Sequence, residues 1–329
     1  MNLLHKPVGL DRILALMKVH RNWLQIITLG CGWIMAVTKL LAGAEIEFVD
    51  KDRVVFLGGT IFDRDRLYGE VETALTSHFK GRSLTFRNLG WDGDTVFGHA
   101  RVGGRRGAVF GVVGEGYQAI IDQVAKVDPT VVFVAYGAVE AHGGLESLAA
   151  FEKGLGRLLS DLSAPHRRFI LLTPLRILGE DVTQRVNAAA QVDRMNILLQ
   201  TYRDAIVRIG ESRQMKVVDL FSASSLLQRD HRVNGLHLSE LGYEALGRYF
   251  VEVECVAAET TGVLDRSLMG ELRSLVRRKS ELYYNWWRPR NDAFVFGERK
   301  SEQVPVQLEL PQFESLIANL EASIAALVR

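Results

Sequence analysis

From residue 53 to about residue 253 the chain alternates short apolar runs with longer stretches whose apolar positions recur every three or four residues. The short runs read as strands buried on both faces, the longer ones as amphipathic helices. Strands are predicted at Arg53–Leu57, Leu84–Asn88, Thr130–Ala135, Arg168–Leu172 and Lys216–Asp219. Helices are predicted over Leu67–Phe79, Tyr117–Val127, Leu145–Leu162 and Val186–Glu211, with a last one capped by Ser239 and running to about Val253. Five βα units in succession predict an α/β fold: a three-layer α/β/α sandwich around a five-stranded parallel sheet, because parallel strands need crossover connections. In such sheets the chemistry lies beyond the carboxyl ends of the strands. Those ends are Gly58-Gly59-Thr60, Asn88–Thr95, Tyr136–Glu140 and the residues from Pro174 onward, with Arg232–Leu238 as the last candidate loop.

Both flanks break this pattern. At the start, Lys6, Arg12, Lys18, Arg21 and Lys39 face the single acid Asp11, so a basic lead precedes an uncharged, largely apolar stretch from Asn22 to Thr38. Small residues follow at Ala42-Gly43-Ala44. Basic lead, apolar run and small-residue site are the three parts of a secretory signal peptide, which predicts residues 1–44 as a signal and an exported protein, periplasmic or extracellular. An uncleaved N-terminal anchor is the alternative. A domain is expected over residues 45–260. The segment 261–329 reads as an appendage packed on it, with a helix marked by Leu272, Leu275 and Val276, then the aromatic and basic cluster Tyr283–Asp292, then a helix over Phe313–Val328.

Composition narrows the partners. The 329 residues are 47% hydrophobic and 24% charged, with a formal net charge of +1, so no overall field draws the chain to nucleic acid. With residues 1–44 removed only Cys255 remains, and one thiol makes no internal disulfide. No CxxC, HExxH or Cys/His cluster supports a metal site, and no cofactor is implied. A GxSxG elbow and a Walker loop are absent, and the glycines at 111, 114 and 116 follow no strand at dinucleotide spacing.

Four blocks at the strand ends carry the chemistry: Val54–Ile61, Asn88–Thr95, Val132–Glu140, and Asn234-Gly235-Leu236-His237-Leu238 followed by Gly242-Tyr243. In order and spacing they resemble the SGNH/GDSL hydrolases, over roughly residues 52–253, and in particular exported bacterial members with a C-terminal extension. The resemblance implies a flavodoxin-like sandwich and an ester hydrolase. Thr60 then stands at the nucleophile, and its N–H, the Gly93 N–H and the side chain at Val139 stand at the oxyanion hole. His237 stands at the general base and Asn234 at the residue that orients it. An activated hydroxyl needs these parts together: a base to take its proton and fixed donors to meet the developing oxyanion.

Three positions depart from that pattern, each with a physical cost. The extra methyl of Thr60 restricts χ1 and crowds attack. Val139 has no donor, and one lost oxyanion donor costs roughly 10²–10³ in rate. Asparagine in place of aspartate behind a catalytic histidine has cost about 10⁴. These losses do not multiply within one site. A carboxylate from Asp230, Asp219, Glu240, Glu140, Asp92 or Asp94 is a conceivable rescue. Glu140 reads first as a brace for its own turn, and Glu240 as an acid favoured in a first helical turn. His142 reads as a loop residue. Arg101–Arg106 reads as a solvated loop, with an anion contact as the alternative. Trp286-Trp287 reads as core of the extension, with a sugar platform as the alternative.

Two functions remain open. One is slow hydrolysis of a small-molecule or polysaccharide ester, with acylated carbohydrate implied by the resemblance. The other is a catalytically retired sandwich that binds carbohydrate or another partner. A membrane-anchored envelope protein is a third class, tied to an uncleaved N-terminus. The oligomeric state is left open.

Overall fold

A computed structural model describes residues 45–101, 114–179, 188–257, 264–288 and 300–329. The signal or anchor expected at 1–44, the arginine loop beyond Arg101 and Gly111 of the glycine run lie outside the described residues. Residues 46–329 form one contact-dense unit.

Its centre is a five-stranded parallel sheet of β1 (Arg53–Gly58), β2 (Thr85–Gly90), β3 (Val131–Ala135), β4 (Arg168–Leu172) and β5 (Lys216–Val218), in the order β2-β1-β3-β4-β5. Successive side chains of a strand point to opposite faces. Val55, Leu57, Val132 and Val134 therefore enter one core, while Val54, Phe56, Val131 and Phe133 enter the other. The first core is closed by α3 (Glu115–Val127), α4 (Leu148–Asp161) and α5 (Ala188–Ser212). The second is closed by α1 (Thr60–Tyr68), α2 (Glu70–His78) and α6 (Glu240–Tyr249). Helices on both faces are what fully apolar parallel strands require.

The first helical region differs from the single helix expected over Leu67–Phe79. It starts at Thr60 and breaks at Gly69, which takes a left-handed φ of 70°. Buried Asp65 accepts hydrogen bonds from the Glu70 and Val71 N–H groups and so caps α2 from the preceding helix. The early start matters, because it sets Thr60 in the first turn of α1 directly after β1. At Gly90 the end of β2 runs against the first turn of α1, where a Cβ would collide with the Asp63 backbone nitrogen. A glycine is therefore needed for the second block to close on the first.

Beyond the sheet, the expected 232–238 loop is a short antiparallel hairpin, β6 (Arg232–Val233) against β7 (His237–Leu238), joined by three residues. Ser239 caps α6 by accepting from the Gly242 N–H at 3.2 Å, and the helix ends in a π-type turn at Phe250–Glu254. The C-terminal region comprises α7 (Arg266–Trp287), α8 (Lys300–Glu309) and α9 (Gln312–Leu327). Tyr283–Trp287, expected after a helix, are instead the last turns of α7. That helix packs on α1, α2 and edge strand β2, and α9 packs on α7. Buried Lys279 donates to Glu72 and to the Phe86 carbonyl, Arg273 pairs with Glu70 at 2.6 Å, and Arg87 of β2 pairs with Glu321. No helix among the described residues is long and apolar enough to cross a membrane.

Candidate active site

The sheet order reverses around β1, with β2 to one side and β3 to the other, and a parallel sheet opens a crevice where its order reverses. Thr60 follows β1 at the first position of α1, where its N–H has no intrahelical acceptor. The loop after β2 carries Trp91–Asp94, and Gly93 takes a left-handed φ of 73° that suits glycine. Here the Thr60 hydroxyl donates to Asp92 Oδ1 at 2.5 Å, and the Gly93 N–H approaches Thr60 Oγ1 at 3.4 Å.

After β3 the chain forms a short 3₁₀ turn over Glu140–Gly143. Buried Glu140 accepts from the Val96 and Gly137 N–H groups, both at 2.8 Å, so it ties the second block to the third. Burial raises its carboxyl above the usual range, against the pull of those donors. Its role is to brace the turn. Asp94 is likewise engaged: Arg101 Nε donates to it at 2.7 Å and the Tyr136 hydroxyl at 3.0 Å, all three residues being buried. Arg101 also donates to the Leu89 carbonyl and to Gln123. Arg101 is thus a buried strut, not the start of a solvated loop.

Thr60, Val139, His142 and His237 all line one cavity of about 150 Å³ at this end of the sheet. His237 is half-buried on β7. Burial lowers its pKa below the ordinary imidazole value, the Arg64 and Arg232 charges push the same way, and Asp92 pulls upward. A neutral ring is the form a general base needs.

Asn234, expected to orient the ring, does not bond to it. Asn234 is exposed in the tip of the β6–β7 hairpin with a φ of 50°, and no hydrogen bond joins it to His237. Among the described residues, no carboxylate hydrogen-bonds to the His237 ring. Asp219 instead caps a one-turn helix and accepts both Nε and Nη2 of Arg203, and Asp230 is exposed beside His231. Glu240 opens α6.

Two contacts escaped the sequence reading. His142 lines the cavity, because a 3₁₀ turn stacks positions three apart and so sets it over Val139. Arg288, just past α7, lies 4.1 Å over the Trp91 ring and pairs with Asp63 at 3.2 Å. It thereby connects the C-terminal region to the Asp92–Gly93 loop. Trp286 and Trp287 are outside the cavity lining; they pack with Tyr283, with the Lys126 ammonium 4.1 Å from the Trp286 ring.

The sequence matches no protein-family profile and no curated protein. Among solved structures, a gut microbial diltiazem-metabolizing enzyme, BT4096, superposes with a TM-score of 0.57 at 11% identity, over 87% of this chain and 97% of its own. A catalytic mutant of Axe2, an acetylxylan esterase from Geobacillus stearothermophilus, gives a TM-score of 0.49 at 19% identity, over 67% of this chain and 100% of its own. LAE5, an alpha/beta hydrolase enzyme from the metagenome of Lake Arreo, Spain, gives 0.45 at 19% identity, over 62% of this chain and 95% of its own. The likeness to BT4096 shows that the α/β sandwich is a fold shared with a solved enzyme.

Proposed function

We propose that the chain is an exported ester hydrolase of the SGNH type that cleaves carboxylic esters slowly, with acyl groups on carbohydrate as its substrate class. The observation that carries this reading is the single cavity at the carboxyl end of the sheet that holds both Thr60 and His237. In the reaction, Thr60 Oγ1 attacks the acyl carbon while neutral His237 takes the hydroxyl proton. The Thr60 and Gly93 N–H groups meet the oxyanion. The protonated ring then returns its proton to the leaving alcohol, and water hydrolyses the acyl-threonine to the acid by the same base. Slowness follows from the β-branched nucleophile, the missing donor at Val139 and the unbraced ring.

The test is acid release from acetylated polysaccharide and from simple esters by the full chain, beside Thr60→Ala and His237→Ala. Loss of release in both variants supports the reading; rates equal to the parent dismiss catalysis at this site. Export is tested by the N-terminus of the secreted protein, expected at Glu45.

A second reading has its own support, since the Thr60 proton is held by Asp92 and no carboxylate stands behind His237. On that reading the cavity binds an acylated carbohydrate without cleaving it. Restoring Thr60→Ser, Val139→Asn and Asn234→Asp together separates the two. Activity that appears only in the restored protein favours a retired enzyme with an intact pocket.

A further inference from the structure

We infer that the cavity beside Thr60 is an acyl pocket built for an apolar chain of about four to six carbons, not for acetyl, and that Val139 sets this preference. The inference rests on the hydrolase reading for its chemistry, but on separate observations for its content.

The apolar lining shared with Thr60 includes Leu172 and Pro174 at the end of β4, Ile177 beyond it, and Met195 and Leu199 of α5. Met195 and Leu199 are four residues apart, so the helix presents both to the same side. Val139 joins the lining from the third block. The buried polar residues of the lining have their polar atoms engaged by protein. Glu140 binds two backbone N–H groups, and Asp94 binds Arg101 and Tyr136. The Thr173 hydroxyl donates to Asp219 and accepts from Phe221 N–H, and the Tyr243 hydroxyl donates to the Ile61 carbonyl. The rings of the two histidines of the lining, His237 and His142, make no hydrogen bond among the described residues.

An apolar cavity of about 150 Å³ is large enough for a six-carbon ring such as benzene. Acetyl would leave most of that space empty, whereas each further buried methylene adds about 0.8 kcal/mol of favourable transfer, roughly four-fold in affinity. Valine at 139 fits this account: the position gives up an oxyanion donor and gains contact with the acyl chain.

The experiment is a chain-length profile of the full protein on 4-nitrophenyl acetate, butyrate, hexanoate and decanoate. We expect kcat/KM to peak at butyrate or hexanoate, at least ten-fold above acetate, and to fall at decanoate. Val139→Phe, at a half-buried position, should lower the hexanoate-to-acetate ratio at least ten-fold. Acetate as the best ester, or a ratio unmoved in Val139→Phe, overturns the inference. If the protein cleaves no ester, the hydrolase reading fails alone, and hexanamide titration decides the pocket. Saturable hexanamide binding, stronger than acetamide binding and lost in Val139→Phe, upholds it, and equal or absent binding overturns it.

Discussion

The Thr60 hydroxyl donates its proton to Asp92 Oδ1 at 2.5 Å, and not to His237. On the proposed hydrolase reading, an anion at that position holds the proton of the Thr60 hydroxyl away from His237 and lies beside the Gly93 N–H proposed to meet the oxyanion. Two unit charges about 4 Å apart interact by about 1 kcal/mol even in water, and more in a partly dry site. Asp92→Asn should therefore raise kcat on a short ester about ten-fold, the neutral amide removing the charge while keeping the shape. Steady-state kinetics on butyrate esters checks it. A drop instead of a rise would make Asp92 the base in a Thr–Asp pair.

Asn234 is exposed in a hairpin tip and makes no hydrogen bond to the His237 ring. An aspartate placed there would have no ring nitrogen to accept from. In the restored protein the gain is thus expected from Thr60→Ser and Val139→Asn, with Asn234→Asp adding less than about three-fold, well short of the 10⁴ attached to a buried orienting carboxylate. Omitting one substitution at a time and comparing kcat measures each share.

His237 fixes the sign of the pH dependence. Its pKa is lowered, by burial first and then by Arg64, so the ring charges only below the ordinary imidazole range near pH 6.5. The base form is the neutral one. Activity should rise with pH through a midpoint below 6.5 and be flat above neutrality. The folded state disfavours the charged ring, so this group's contribution to stability is full above the unfolded pKa and is lost as pH falls through that range. Arg64→Gln should move the midpoint upward. The kcat/KM–pH profile of both proteins, or the ring-proton shifts of His237, gives the answer.

Strand identity was legible because the runs Val131–Ala135 and Phe169–Leu172 are apolar at every position, as a parallel strand covered on both faces requires. Block order then brought Thr60 and His237 to the same sheet end. What the sequence hid was set by contacts across the fold. Gly69 breaks the first helical region by adopting a left-handed φ, whereas the sequence reads as one helix running through it from Leu67 to Phe79. Asp92 was one of six carboxylates until the turn at Gly93 placed it on the hydroxyl. His142 looked like a loop residue because the short turn that stacks it over Val139 has no hydrophobic period to announce it. The aromatic cluster at 283–287 read as following the helix, whereas its rings pack on one another and on Lys126 as the end of that helix.

Arg288 holds the Asp92–Gly93 loop from outside, stacked on Trp91 and paired with Asp63. A partly exposed stack of this kind contributes about 0.5–1 kcal/mol. On the proposed mechanism, Arg288→Ala should lower kcat several-fold with little change in KM, because the residue braces the loop proposed to meet the oxyanion and is not among the cavity lining. Arg288→Lys should not rescue it, since an ammonium lacks the planar face that stacks. Kinetics of the two variants beside a circular-dichroism melt separates loop positioning from general unfolding.

The buried pair Lys279–Glu72 fastens α7 to α2. Burial pushes the Glu72 carboxyl up and the Lys279 amine down, each opposed by the partner's charge, so each ion depends on the other. Lys279→Met leaves Glu72 buried without its cation, a change that costs about 3–5 kcal/mol in comparable pairs. Lys279→Met with Glu72→Leu removes both charges and should recover most of that loss, because the desolvation penalty disappears along with the attraction. Urea unfolding of the two variants and the parent should order them with the single substitution lowest. A single variant as stable as the parent would mean that α7 is not held by this pair, and that its apolar face, Leu272 and Val276 against Ile324 and Val328, suffices to dock it.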